Sequence, residues 1–181
     1  MRTFIALEIP YQLREDLASM ARVLQASVRG KYVPRENYHL TLAFLGDVPQ
    51  TMLDLVQGLM DQAVAQTAEY YNIKLQPDGL GSFGRNNNAT LWMGFAKDPA
   101  LMELAEHLRD QLNEAGFFTD KKAFLPHVTL ARHAQLTAGE LVGIPFPEPA
   151  RGEYLTLFKS DLDPSGATYE PLYSIPLSLV N

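Results

Sequence analysis

The chain has 181 residues, enough for one domain or two small lobes around a core that needs no covalent staples. It contains no cysteine, which excludes disulfide scaffolds, thiolate metal sites and thiol nucleophiles. A net charge of −6 argues against coating long nucleic acid through nonspecific phosphate contacts, though not against gripping a single phosphate.

The opening apolar run is too short for a signal h-region and is broken by Glu8, and no other run could cross a membrane, so a soluble cytoplasmic protein is expected. A strand is predicted at about Thr3 to Ile9, closed by Pro10. Leu13, Leu17, Met20, Ala21 and Leu24 then recur at helical spacing and predict an amphipathic helix from about Tyr11 to Ser27. Gly30 and Pro34 punctuate a loop into a strand over Asn37 to Gly46. Beyond Pro49, Met52, Leu55, Val56, Leu59, Met60 and Ala63 trace a second helix, with Thr51 or Asp47 as candidate caps. A strand around Tyr70 to Gln76 is expected to extend the first sheet.

Gly79 to Asn88 is the strongest break in the pattern. No Gly-Lys-Ser/Thr follows its glycines and no helix opens after it, so it reads as a turn-rich connector rather than a phosphate cradle. The pattern then restarts with a strand from Ala89 to Ala96. Asp98-Pro99 supplies a cap and a first-turn proline, and Leu101, Leu104, Ala105, Leu108 and Leu112 run helically until Gly116. Another strand follows at about Ala123 to Arg132. After a loop marked by Pro145, Pro147 and Pro149, Tyr154 to Ser160 and Thr168 to Leu179 form a hairpin about the turn Asp163-Pro164-Ser165-Gly166, and the prolines of the last segment favour an edge position.

Two of these strands carry the same pattern. His39-Leu40-Thr41-Leu42 is echoed by His127-Val128-Thr129-Leu130. With ten threonines in 181 residues, a histidine has threonine two places on about one time in eighteen, so two matches among four histidines are unusual. Strand alternation puts His39, Thr41 and Ala43 on one face and Leu40, Leu42 and Phe44 on the other; the second copy divides in the same way. From Phe4 to His39 is 35 residues and from Thr90 to His127 is 37, as expected of two duplicated β-α-β halves whose motif strands face each other across a cleft. Arg29, Lys31 and Arg35 precede the first motif, and Lys121 and Lys122 the second.

Imidazole titrates near neutrality, so one copy can hold a proton while the other lacks one. That is the complement for in-line displacement at phosphorus, with threonine hydroxyls donating to the non-bridging oxygens. A metal site would want carboxylates or a third histidine beside the motifs; His107 falls on the polar face of the third helix, and His133 is the remaining candidate.

The pair His-Leu-Thr-Leu and Pro-His-Val-Thr-Leu-Ala-Arg resembles the two signature motifs of the 2H phosphoesterase superfamily. The opening Arg-Thr-Phe-Ile-Ala-Leu-Glu-Ile-Pro, the Leu-Thr-Leu-Ala-Phe-Leu-Gly-Asp-Val run, Gly-Leu-Gly-Ser-Phe, Thr90-Leu-Trp-Met-Gly and Ser160-Asp-Leu-Asp-Pro-Ser-Gly-Ala-Thr-Tyr are similar to its RNA 2′,3′-cyclic phosphodiesterase branch, formerly called 2′-5′ RNA ligases. The resemblance implies an α+β fold of two pseudo-twofold lobes, each an antiparallel sheet with helices outside, within one domain: a first lobe over about 1–80, a second over about 88–160, and C-terminal strands completing the sheets. It implies hydrolysis of RNA 2′,3′-cyclic phosphate ends to 2′-phosphate, with reversible 2′-5′ ligation as an accompanying activity, no cofactor, no metal, no membrane partner and a monomeric state. Small cyclic nucleotides or ADP-ribose cyclic phosphate are alternative substrates, and a nucleotide-binding module is the non-enzymatic alternative.

Carried over by position, His39 would protonate the departing 3′ oxygen, His127 would activate water, and Thr41 and Thr129 would hold phosphate oxygens. Arg132 matches the arginine that closes the second motif, yet strict alternation puts it on the Val128 and Leu130 face, so it reaches the phosphate only if the strand twists or ends there. Where the family often has tryptophan before the first motif, this chain has Lys31-Tyr32; Tyr32 or Tyr38 could stack a base or simply pack.

Overall fold

The computed structural model describes residues 1–117, 120–137 and 146–179. Pro145 of the predicted proline loop lies outside them. The first sheet is antiparallel in the order β10-β9-β1-β3, formed by β1 (Arg2–Glu8), β3 (His39–Asp47), β9 (Tyr154–Asp163) and β10 (Gly166–Pro176). The second is antiparallel in the order β2-β7-β6-β5, formed by β2 (Arg29–Tyr32), β5 (Pro77–Arg85), β6 (Asn88–Phe95) and β7 (His127–Gln135). Both motif strands are thus in antiparallel sheets, as the α+β expectation requires.

Among the described residues three α-helices complete the fold: α1 (Tyr11–Gln25), α2 (Leu53–Gln66) and α3 (Pro99–Glu114). The predicted periodicities are the buried stripes of α1 (Leu13, Leu17, Met20, Ala21 and Leu24) and α3 (Leu101, Leu104, Ala105, Leu108 and Leu112); on α2 Val56, Leu59, Met60 and Ala63 are buried, but Leu55 is exposed and Met52 precedes the helix. Asp98 caps α3 by accepting the Leu101 N–H at 3.1 Å, and Gly116 ends it at φ 89°. Helix α2 packs on α3, and α3 also reaches β3. These stripes meet Ile5, Leu7, Leu40 and Leu42 in one continuous core. Among the described residues, no helix is long and apolar enough to cross a membrane.

Four local expectations need correction. Gly79 to Asn88 is not a connector: β5 pairs with β6 from Pro77 to Arg85, and the chain turns at Asn86 and Asn87. Gly81 is there for space, since a Cβ on it would sit 2.2 Å from the Trp92 ring that lies across it, whereas Gly79 and Gly84 take positive φ. Tyr70 to Gln76 does not extend the first sheet; Tyr70–Asn72 is a short 3-10 turn, and β4 (Lys74–Leu75) pairs with β8 (Ala150–Arg151) in a separate two-stranded ladder. Neither Thr51 nor Asp47 caps α2, which continues from a 3-10 turn at Gln50–Met52 with no side-chain cap. The loop predicted at Gly30 to Pro34 contains β2, which leaves the first half of the chain to pair with β7.

Candidate active site

In β3 the register with β1 runs Leu7 to Leu40 and Ala6 to Thr41, then jumps to Ile5 opposite Ala43, leaving Leu42 as an extra residue. In β7 the register with β6 runs Met93 to Val128 and Trp92 to Thr129, then jumps to Leu91 opposite Ala131, leaving Leu130 extra. Each motif therefore carries a β-bulge at the same place, directly after the threonine. A bulge shifts the alternation by one residue. Two consecutive residues turn inward, Leu42 with Ala43 and Leu130 with Ala131, all at 3% exposure or less.

The next side chains are thereby returned to the histidine face. Phe44 is not buried with Leu40 and Leu42 as alternation predicts; it is 60% exposed. Its ring lies 6.1 Å from that of Phe4, which is itself 4.7 Å from the His39 ring. Arg132 is moved in the same way, so strict parity fails for it too: it is exposed, and its charge acts on His39.

Both imidazoles are oriented by the chain just before them. His39 Nδ1 lies 2.7 Å from the Asn37 carbonyl, and His127 Nδ1 lies 2.7 Å from the Leu125 carbonyl. A carbonyl only accepts, so each Nδ1 carries the hydrogen and, in the neutral ring, each Nε2 is left without one. Asn37 is itself anchored by donating its side-chain amide to the Ala167 carbonyl at 3.0 Å. The environments then diverge. His39 is packed against Phe4 and, at 5.1 Å, against the edge of Tyr169. Burial pushes its pKa down to about 4, the Asn37 hydrogen bond opposes this, and the nearby charges of Arg132 and His127 add to it. The His127 ring lies against both Phe83, at 5.3 Å, and Trp92, at 5.8 Å, which also touch each other.

Two cavities flank this centre. One, of about 520 Å³, is lined by Thr41 of β3 and His127 of β7, together with Phe44, Phe83, Phe124 and Leu125. The other, of about 400 Å³, is lined by Arg132 together with Arg2, Lys31, Tyr32, Asn37 and Tyr169. The structure thus brings His39, Thr41, His127 and Arg132 to one region. Thr129 lies two residues beyond His127 on the same strand face and is half-buried.

Of the basic residues near the motifs, Lys31 and Lys122 line the cavities, whereas Arg35 pairs with Glu15. Tyr38 is core, its hydroxyl pushed up to about 12 by burial, while Tyr32 lines the Arg132 cavity and donates to the Val28 carbonyl. His107 pairs with Glu103 on α3, and His133 donates to Asn88 at 3.0 Å. No group of three or more His, Asp or Glu able to hold a metal occurs among the described residues.

Sequence reasoning missed Arg109. From α3 it donates to the Leu42 carbonyl, at the first bulge, at 2.9 Å and to the Lys122 carbonyl at 3.0 Å, and it lies over the Phe124 ring. One guanidinium so ties the first motif to the loop that enters the second. No local pattern in the sequence announces this, because the contact spans 67 positions.

The model of the 2′-5′ RNA ligase superfamily matches residues 9–143. The chain belongs to this superfamily. Its relatives include the RNA 2′,3′-cyclic phosphodiesterase of Escherichia coli K12, 32% identical over 179 residues, covering 94% of this chain and 93% of that one. The enzyme of the same name from Thermotoga maritima is 28% identical over 180 residues, covering 96% and 94%. Among solved structures, E. coli LigT complexed with 3′-AMP superposes with a TM-score of 0.81, and TT0787 of Thermus thermophilus with 0.80; each is 28% identical and covers 98% of both chains. The superfamily fold is therefore common ground with proteins aligned over nearly their full lengths.

Proposed function

We propose that the protein is a phosphodiesterase that opens RNA 2′,3′-cyclic phosphate ends to 2′-phosphates. The observation that carries this reading is the pair of His-x-Thr strands, each with its imidazole held at Nδ1 and its Nε2 free, within a family whose relatives bear that activity in their names. Water attacks phosphorus opposite the 3′ oxygen, and His127 Nε2 takes its proton. The bond to the 3′ oxygen breaks as His39 Nε2 supplies a proton to it, giving a free 3′ hydroxyl and a 2′-phosphate. Thr41 and Thr129 donate to the non-bridging oxygens, and Arg132 offsets their charge. His39 is neutral in the empty site near neutrality, and the incoming phosphodiester anion counters Arg132, favouring the imidazolium that the leaving oxygen needs.

The test is incubation of the protein, with chelator present, with an oligonucleotide ending in a 2′,3′-cyclic phosphate. Opening to a 2′-phosphate that is lost in both His39→Ala and His127→Ala supports the reading. Turnover surviving both changes would sink it, and a 3′-phosphate product would reverse the leaving oxygen. Supplying a second oligonucleotide with a 5′-hydroxyl alongside the cyclic end tests ligation.

A further inference from the structure

The short β4–β8 ladder sets Lys74 directly opposite Arg151. Partners in an antiparallel ladder point to the same side, and the other side of this one faces the core, where Leu75 is fully buried and Ala150 packs. Lys74 and Arg151 therefore stand side by side on the exposed face, an arrangement of like charges that destabilises a sheet. Among the described residues neither forms a salt bridge. Arg151 also lines a cavity of about 290 Å³, together with Tyr71, Glu153, Tyr154, Leu177 and Leu179. This cavity shares no lining residue with either cavity of the cleft. It lies at the open end of the β9–β10 hairpin, at Tyr154 and Pro176, whereas Leu162, Ser165 and Gly166 carry the turn of that hairpin to the Arg132 cavity.

We infer that this cavity binds a free nucleoside monophosphate, with the phosphate at Lys74 and Arg151, the base against the tyrosine rings and the base edge on Glu153. The inference does not rest on the activity proposed above. Three chemistries are asked of one ligand. Two uncompensated cations suit an anion of more than one charge, and a phosphate monoester carries roughly two near neutral pH, with oxygens that fit the guanidinium fork. Two tyrosine rings beside Leu177 and Leu179 suit a planar ring. Glu153 faces the same space without pairing with Arg151, and a carboxylate accepts only, so the ring must offer donors. Guanine carries two neighbouring donors on one edge, whereas adenine and cytosine place a ring acceptor beside their amino group; guanine is therefore the base expected. An α-amino acid would match Arg151 and Glu153 with its own two charges but leaves Lys74 without a counter-charge. The volume is near the lower end for ligand sites, roughly 300 Å³, which suits one nucleotide and not a run of them. The walls are also held in advance: the Gly152 N–H donates to the Ile73 carbonyl at 2.9 Å, the Leu177 N–H to the Glu153 carbonyl at 2.8 Å, and Tyr70 meets Tyr71 edge-on at 5.6 Å.

The experiment follows backbone amide resonances of the full chain during separate titrations with guanosine 5′-monophosphate, adenosine 5′-monophosphate, inorganic phosphate and phenylalanine. The guanine nucleotide should shift Gly152, Tyr154 and Leu177 saturably, and bind there roughly tenfold more tightly than the adenine nucleotide. Arg151→Gln should weaken that binding by roughly tenfold or more, and Glu153→Gln should erase the preference between the two bases. Both side chains are exposed, so the urea midpoint should hold in each variant, and Arg151→Gln should leave the opening of a 2′,3′-cyclic end unchanged. The His127→Ala protein should give the same shifts as the wild type, since the two sites share no residue. Shifts confined to the cleft, or shifts at Gly152 that inorganic phosphate or phenylalanine produces equally well, would overturn the inference. So would guanine binding that Arg151→Gln leaves intact.

Discussion

His39 offers a measurement that reaches the site without a substrate. Its pKa is 6.5 in an unfolded chain and about 4 in the folded one, so folding disfavours its proton. Above pH 6.5 both states are neutral at this residue and stability is unaffected. As pH falls below 6.5 the unfolded chain takes up the proton first, and stability declines until the folded site also protonates near pH 4. At pH 4.5 the two pKa values give a loss of about 2.5 kcal/mol from this group. The perturbation is His39→Asn, which keeps a small polar side chain and removes the titration. Urea unfolding, followed by the emission of the chain's single tryptophan, would be run on both proteins at pH 7.5 and 4.5. Every other ionisable side chain is present in both proteins, so the comparison isolates the change at residue 39. The wild type should lose about 2.5 kcal/mol more than the variant between the two pH values. Equal losses would show that burial beside Phe4 and Tyr169 does not depress this imidazole. In that event the coupling of its proton to the arrival of phosphate would fall as well.

Other residues give independent tests. Thr41→Val and Thr129→Val keep shape and delete a donor, so each should lower kcat by roughly 10²-fold if its hydroxyl meets the charge that builds on phosphate, and a change confined to KM would argue against that role. Arg109→Ala should cost about 2 kcal/mol in urea unfolding, because the Leu42 and Lys122 carbonyls lose their donor; an unchanged midpoint would mean that water replaces the guanidinium. Gly81→Ala drives a methyl into the Trp92 ring, which also lies beside His127, so it should cost about 1–3 kcal/mol and shift the tryptophan emission, and a silent spectrum would refute the contact.

The amphipathic stripes of α1 and α3, the Asp98 cap and the two motif strands were legible because each depends on residues close in sequence, with spacing set by one element's own geometry. The misreadings share a cause of the opposite kind. The glycines of β5 look like a connector, yet Gly81 is bare because Trp92, eleven positions later, needs its surface. Phe44 and Arg132 obey alternation until a bulge intervenes, and a bulge is defined by what the partner strand does. Arg109 and Arg2 join the site only through tertiary contact. His39, Thr41, His127 and Thr129 could be found by repetition within the chain, whereas the walls of the cleft could not.

The bulges explain why alanine follows the motif in both copies. Directing two successive side chains into the core crowds one face of the strand, and close packing leaves room for only one large residue there. Leu42 and Leu130 take that room, and Ala43 and Ala131 fit beside them with almost no exposure. The return for the strand is reach. A regular strand would offer the cleft His, Thr and then a methyl group, whereas the bulged one offers His, Thr and then a full-length side chain while the core stays closed. Because the bulge is made by backbone register and not by the residue it exposes, the exposed position is free to differ between the copies. The two strands can therefore keep their imidazoles matched, each with its own Nδ1–carbonyl contact, while Phe44 and Arg132 make the two cavities beside them chemically distinct. In the proposed reaction the phosphate would thus meet matched imidazoles at the centre and unlike walls around them.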